Sequence, residues 1–127
     1  MKWLVAALLI VIALLLATVP NAQTCVVIDG LAYVGNETRE QITLKNVCPF
    51  DVDITGWTVE DTANHTYRFG DGFLMKESFM TLHSGKGSDT ESERYWNRAA
   101  AVWNDDGDVV FLRDSAGNVV QMLSYSA

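Results

Sequence analysis

The chain is poor in positive charge. Nine Lys and Arg stand against sixteen Asp and Glu in 127 residues, a formal net charge of −7 at pH 7. Phosphate backbones repel such a surface, which excludes nucleic acid as the main partner. Anionic lipid is disfavoured for the same reason. The acidity itself is read as a means of solubility. Metal-ligating residues are scarce too: Cys25, Cys48, His65 and His83 contain no pair at ligand spacing, which argues against a zinc site. No Gly-x-Ser-x-Gly elbow exists to support a hydrolase reading of His83-Ser84. A nucleophile also needs a base and an orienter in fixed geometry. Neither enzymatic activity nor a cofactor is expected. A sustained helical period is missing beyond the first 22 residues, where Ala99-Ala100-Ala101 could form one turn at most.

What is present begins with an apolar leader. Met1-Lys2 carries one positive charge, Trp3 to Ala17 contains no polar residue, and Thr18-Val19-Pro20-Asn21-Ala22 breaks the run. This order reads as a secretory signal peptide over residues 1–22. The run of 15 residues is short of the roughly 20 that cross a bilayer comfortably. Ala22 suits a cleavage site and Pro20 does not, so an uncleaved N-terminal membrane anchor stands as the alternative. Either way the rest of the chain is expected outside the cytoplasm, in the cell envelope or beyond it.

About 105 residues then remain, a usual size for one domain. Without Lys2 that domain, read from residue 25 to 127, has 8 basic and 16 acidic residues. In an exported chain two cysteines suggest a disulfide, Cys25 to Cys48. It would close a loop of about 23 residues and contribute roughly 3 kcal/mol by limiting the unfolded chain.

The domain reads as short strands between turns. Val26-Val27-Ile28 is β-branched and apolar, and Leu31 to Val34 could extend it. Gly35 to Thr38 is a turn by residue type. Gln41 to Lys45 alternates, so Ile42 and Leu44 face inward. A two-residue hairpin at Asn36-Glu37 would set Cys25 opposite Cys48 and Asp29 opposite the inward Leu44. The second pairing is unfavourable, so a bulge or a longer loop is expected. Val52 to Ile54 alternates, Thr55-Gly56 allows a bend, and Trp57 and Val59 share a face. Thr66 to Phe69 and Ser78 to Leu82 are further strands, and Ser84 to Glu93 is a solvated loop. Val109 to Arg113 enters from Asp105-Asp106-Gly107-Asp108 and pairs across the turn at Ser115 to Asn118 with Val119 to Leu123. Turns every 8–12 residues imply a β-sandwich or barrel.

Each candidate site has a plainer reading. Trp57, Trp96 and Trp103 could stack on sugars. Trp57 belongs to an alternating strand and is assigned to the core, with Ile42, Leu44, Phe69 and Phe111. Asp105, Asp106 and Asp108 could bind calcium, but they lack the loop spacing and the bidentate Glu of a calcium loop. Asp-Gly is also a hairpin signal in its own right. Asn36 and Asn64 head glycosylation sequons in turns.

The ordered set Gln41 to Asn46, Asp53 to Asp61 with its Gly56-Trp57, Tyr67-Arg68-Phe69, Tyr95-Trp96, Val102-Trp103-Asn104, Gly107-Asp108 and Leu112 to Val120 resembles the lamin tail domain family, especially its prokaryotic members. The resemblance implies an all-β fold, an immunoglobulin-like antiparallel β-sandwich, preceded here by a hydrophobic signal or anchor helix. In nuclear lamins the domain follows a coiled coil and serves as an interaction surface. In prokaryotes it occurs on exported or membrane-attached proteins, sometimes beside hydrolase domains. This chain has neither coiled coil nor space for a catalytic domain, so a nuclear role and lamin partners are not expected. The expectation is a non-catalytic exported module, binding or purely structural, at the cell surface or in the envelope, with a protein or envelope component as its partner. It would touch the membrane only through residues 1–22, if these are uncleaved. A calcium- or carbohydrate-binding module using Asp105, Asp106, Asp108 and Trp103 is the alternative.

Overall fold

The computed structural model describes residues 25–126, and the signal or anchor reading of residues 1–22 lies outside them. The strands are β1 Val26–Ala32, β2 Gln41–Asn46, β3 Val52–Asp53, β4 Thr58–Glu60, β5 Thr66–Arg68, β6 Phe73–Leu74, β7 Phe79–His83, β8 Glu93–Tyr95, β9 Gly107–Arg113 and β10 Val119–Ser126. No helix occurs among the described residues. One sheet has the order β1-β2-β7-β8 and the other β10-β9-β4-β5, with β3-β6 as a short separate pair. The architecture is an all-β sandwich. Ile42, Leu44, Met80 and Leu82 from the first sheet meet Val59, Val110 and Leu112 from the second in the core. Side chains two apart share a face, so the alternation in β2, β7 and β9 produces these inner faces.

The first hairpin contains a bulge. Ile28 pairs with Leu44 and Gly30 with Thr43, and the register shifts between them. Asp29 falls in the shift and is exposed. The shift keeps the acid away from Leu44 and also offsets Cys25 from Cys48 by one step. The two sulfurs are nonetheless bonded, with Cα atoms 5.1 Å apart. At the turn end of this hairpin Tyr33 adopts φ 56° and Gly35 φ 83°. The sheets approach each other along β1 and β10, where Gln121 Oε1 accepts the Ile28 N–H at 2.8 Å.

Two expectations need correction. Phe111 is not in the core: it is half-buried on the outer face, with the Arg113 guanidinium 5.5 Å from its ring centroid. The inward set of β9 is Asp108, Val110 and Leu112. Strict alternation leaves the parity of a strand open when both faces carry apolar residues, and the pairing of Leu112 with the fully buried Val59 decides it. The stretch Ser84 to Glu93 is not loop to its end, because Glu93 begins β8, which runs parallel to β7 with Leu82 paired to Arg94. The segment around Phe73 is also a strand, antiparallel to β3.

Candidate functional site

The acidic turn is built around Asp108, which points inward and is 6% exposed. Its Oδ1 accepts the Thr62 hydroxyl at 2.8 Å and the Val109 N–H at 2.9 Å. Its Oδ2 accepts the Asn104 N–H at 3.3 Å and the Asn104 side-chain amide at 3.2 Å. Burial opposes ionisation of this carboxyl, but the bonds from Val109, Thr62 and Asn104 outweigh it and hold the group below the usual carboxylate range. Asp105 and Asp106 are exposed. Among the described residues no group of three or more His, Cys, Asp and Glu is placed to hold a metal ion. The calcium reading of Asp105, Asp106 and Asp108 gains no support from this arrangement, in which both oxygens of Asp108 fasten one loop to another. The nearby Tyr125 hydroxyl donates to the Asn104 carbonyl at 2.7 Å. Burial, reinforced by Asp108 and Glu40, pushes its pKa up to about 12, so it remains a donor.

Trp57 and Trp103 line the interior. Trp57 is 5% and Trp103 2% exposed, so neither offers a face to a sugar. The carbohydrate reading of Trp103 is corrected on that ground. Trp96 is half-buried between Trp103, with ring centroids 6.3 Å apart, and Tyr67, 5.8 Å away. His83 and Ser84 do not form a dyad. His83 Nε2 meets Glu93 Oε2 at 2.7 Å and stacks on Tyr95, whereas the Ser84 hydroxyl donates to Glu40 at 2.7 Å. His65 Nδ1 meets the buried Asp61 at 2.6 Å. Asn36 and Asn64 occupy exposed turns, and Thr38 donates both N–H and hydroxyl to Asn36 Oδ1.

Glu40 was not singled out by sequence, although it is fully buried. Its Oε1 accepts Ser84 Oγ and the Val102 N–H, both at 2.7 Å, and its Oε2 accepts the Gly35 N–H at 3.0 Å. The Trp103 N–H lies 3.3 Å from each oxygen. One carboxylate thus joins three loops, and charge-assisted bonds make it a strong fastening. The sequence signal available was only a Glu directly before an alternating strand.

The contrasting feature is an apolar end. Val47, Phe79 and Phe73 are each 50% exposed, and Phe50 and Met75 each 39%. Asn46, itself fully buried, gathers them. Its side-chain amide donates to the carbonyls of Phe50 at 2.8 Å and Leu74 at 3.0 Å, and its side-chain oxygen accepts the Cys48 N–H. The Glu77 N–H donates to the Cys48 carbonyl, and the Val47 N–H to that of Cys25. Phe73, Met75 and Phe79 line a groove of about 250 Å³. Lys45 Nζ sits 5.1 Å from the Phe79 ring centroid. A polar rim around clustered apolar side chains is chemistry for contact with another molecule.

In a comparison with known families, the family model described as Lamin Tail Domain matches residues 20–127. Among curated proteins no match is found.

Proposed function

The chain belongs to the lamin tail domain family, and on that premise we propose that it is a non-catalytic exported module of the cell surface or envelope, working by contact through its apolar end. The carrying observation is the exposure of Val47, Phe50, Phe73, Met75 and Phe79 in the segments that Asn46 fastens, with Phe73, Met75 and Phe79 lining one groove. Water-facing apolar clusters are unfavourable unless another surface covers them. The polar clusters support the same reading, because Glu40, Asp61 and Asp108 hold loops in place. The Cys25–Cys48 bond agrees with an oxidising compartment, and the apolar leader with export.

A photoreactive residue placed at Phe73 or at Asn118 tests this in the cells that make the protein. Irradiation is expected to give covalent adducts from position 73 and none from the exposed turn at 118. Equal yields from both positions, or none from 73, would overturn the assignment of the contact surface.

A further inference from the structure

The apolar end is also the end at which the chain enters the fold. Cys25 is the first described residue, is fully buried, and is bonded to Cys48, which lies between Val47 and Phe50. The uninterrupted apolar run ends at Ala17, so only residues 18–24 lie between that run and Cys25. An extended chain spans at most about 3.6 Å per residue, so this connection reaches about 25 Å at most. The disulfide passes the tether directly to the segment that carries Val47 and Phe50. The turn of the first hairpin, where Asp105 lies against Gly35, is at the opposite end of β1 from this tether. If residues 3–17 remain in a membrane, the apolar end is held beside it.

The side chains fit that position. Phenylalanine favours the boundary between headgroups and acyl chains, and apolar side chains placed there strengthen binding through the area they bury. Lys45 and Lys76 flank the group, but Asp51, Asp53, Asp71, Glu77 and Glu91 do so as well. Together with the acidic net charge, this selects a zwitterionic rather than an anionic bilayer. We propose that Val47, Phe50, Phe73, Met75 and Phe79 rest in the interfacial layer of a zwitterionic bilayer in which residues 3–17 are retained as the anchor. The proposal deepens the contact reading above and rests on it.

The five phenylalanines supply their own controls. Phe50, Phe73 and Phe79 belong to the apolar end, Phe69 is buried, and Phe111 lies half-buried on the outer face of the other sheet. The full chain, made with 4-fluorophenylalanine, is placed in phosphatidylcholine nanodiscs with and without lipid bearing a nitroxide on the upper acyl chain. The fluorine signals of Phe50, Phe73 and Phe79 are expected to broaden at least fivefold with nitroxide, and those of Phe69 and Phe111 to stay sharp. The variant Phe50→Asp, Phe73→Asp should then release the remaining Phe79 signal from the effect, with Phe69 unshifted as the sign of an intact fold. Uniform broadening, or none at the three, would sink the lipid contact. So would signals that move with protein concentration and ignore nitroxide, which would assign the face to a second copy. Protein rather than lipid adducts from position 73 in cells would also remove the bilayer as occupant while leaving a contact module standing. An intact mass lacking the leader has the same effect.

Discussion

Replacing Glu40 by glutamine keeps the side chain's shape and removes one charge from a site closed to solvent. The carboxylate receives Ser84 Oγ and the Val102 N–H on one oxygen, the Gly35 N–H on the other, and the Trp103 N–H between them. An amide has one acceptor oxygen. If it takes the place of Oε1, Ser84 and Val102 keep neutral bonds, and the amide hydrogens face the Gly35 and Trp103 donors. Each surviving bond falls from the charged range of about 1.5–3 kcal/mol to about 0.5–1.5, and an orphaned buried donor costs about 1–3. Relaxation of the loops recovers part of the sum, so a net loss of about 3 kcal/mol is expected. For a domain of this size that lowers the melting temperature by about 10–20 °C. Urea unfolding followed by tryptophan fluorescence measures the equilibrium loss. Hydrogen exchange at Gly35, Val102 and Trp103 should quicken while the β2–β7 ladder is unchanged. Glu40→Gln within about 0.5 kcal/mol of the wild type, the range of an ordinary surface change, would refute the fastening role.

Three further outcomes follow from the geometry. Reducing Cys25–Cys48, which closes a sequence separation of 23, should cost about 3 kcal/mol in urea unfolding and leave the sandwich's dichroism in place. Leu112→Ala should cost about 2–5 kcal/mol as a core truncation, whereas Phe111→Ala should cost well under half of that, and equal losses would contradict the facing of β9. Asp108→Asn should flatten the acid limb of the stability curve. Because the folded carboxyl titrates below its ordinary value of 3.8, its contribution is complete above that pH and is lost as pH falls through the folded value. An unchanged acid limb in melting scans between pH 2 and 5 would count against this.

Much of the framework was legible from local pattern. The inward Ile42 and Leu44 follow from a period of two in a short polar-apolar segment. The bulge at Asp29 follows from the cost of setting a carboxylate against Leu44. The pattern alone does not place Phe111, because Val109, Val110, Phe111 and Leu112 are all apolar and either parity satisfies it. Strand β8 leaves no local signal, because Glu93-Arg94-Tyr95 carries no alternation of its own and pairs in parallel across a crossover. The aspartates around Gly107 looked like ligands because composition does not reveal where a carboxylate points. Asp108 turns inward to Thr62, 46 residues earlier.

By itself the sequence determined the all-β class, the strand and turn segments, and a cysteine pair near enough in the chain to close a short loop. These depend on backbone preference and on neighbours a few residues away. Only the tertiary structure decided which face of β9 is buried, that Glu40 rather than a surface acid is enclosed, and that Phe73, Met75 and Phe79 line one groove. Glu40 meets Val102 across 62 residues, and the Asn46 amide reaches Leu74 across 28. Such contacts form when two sheets close on each other, and the energy that selects them resides in desolvation and hydrogen bonding between segments, which no single segment carries alone.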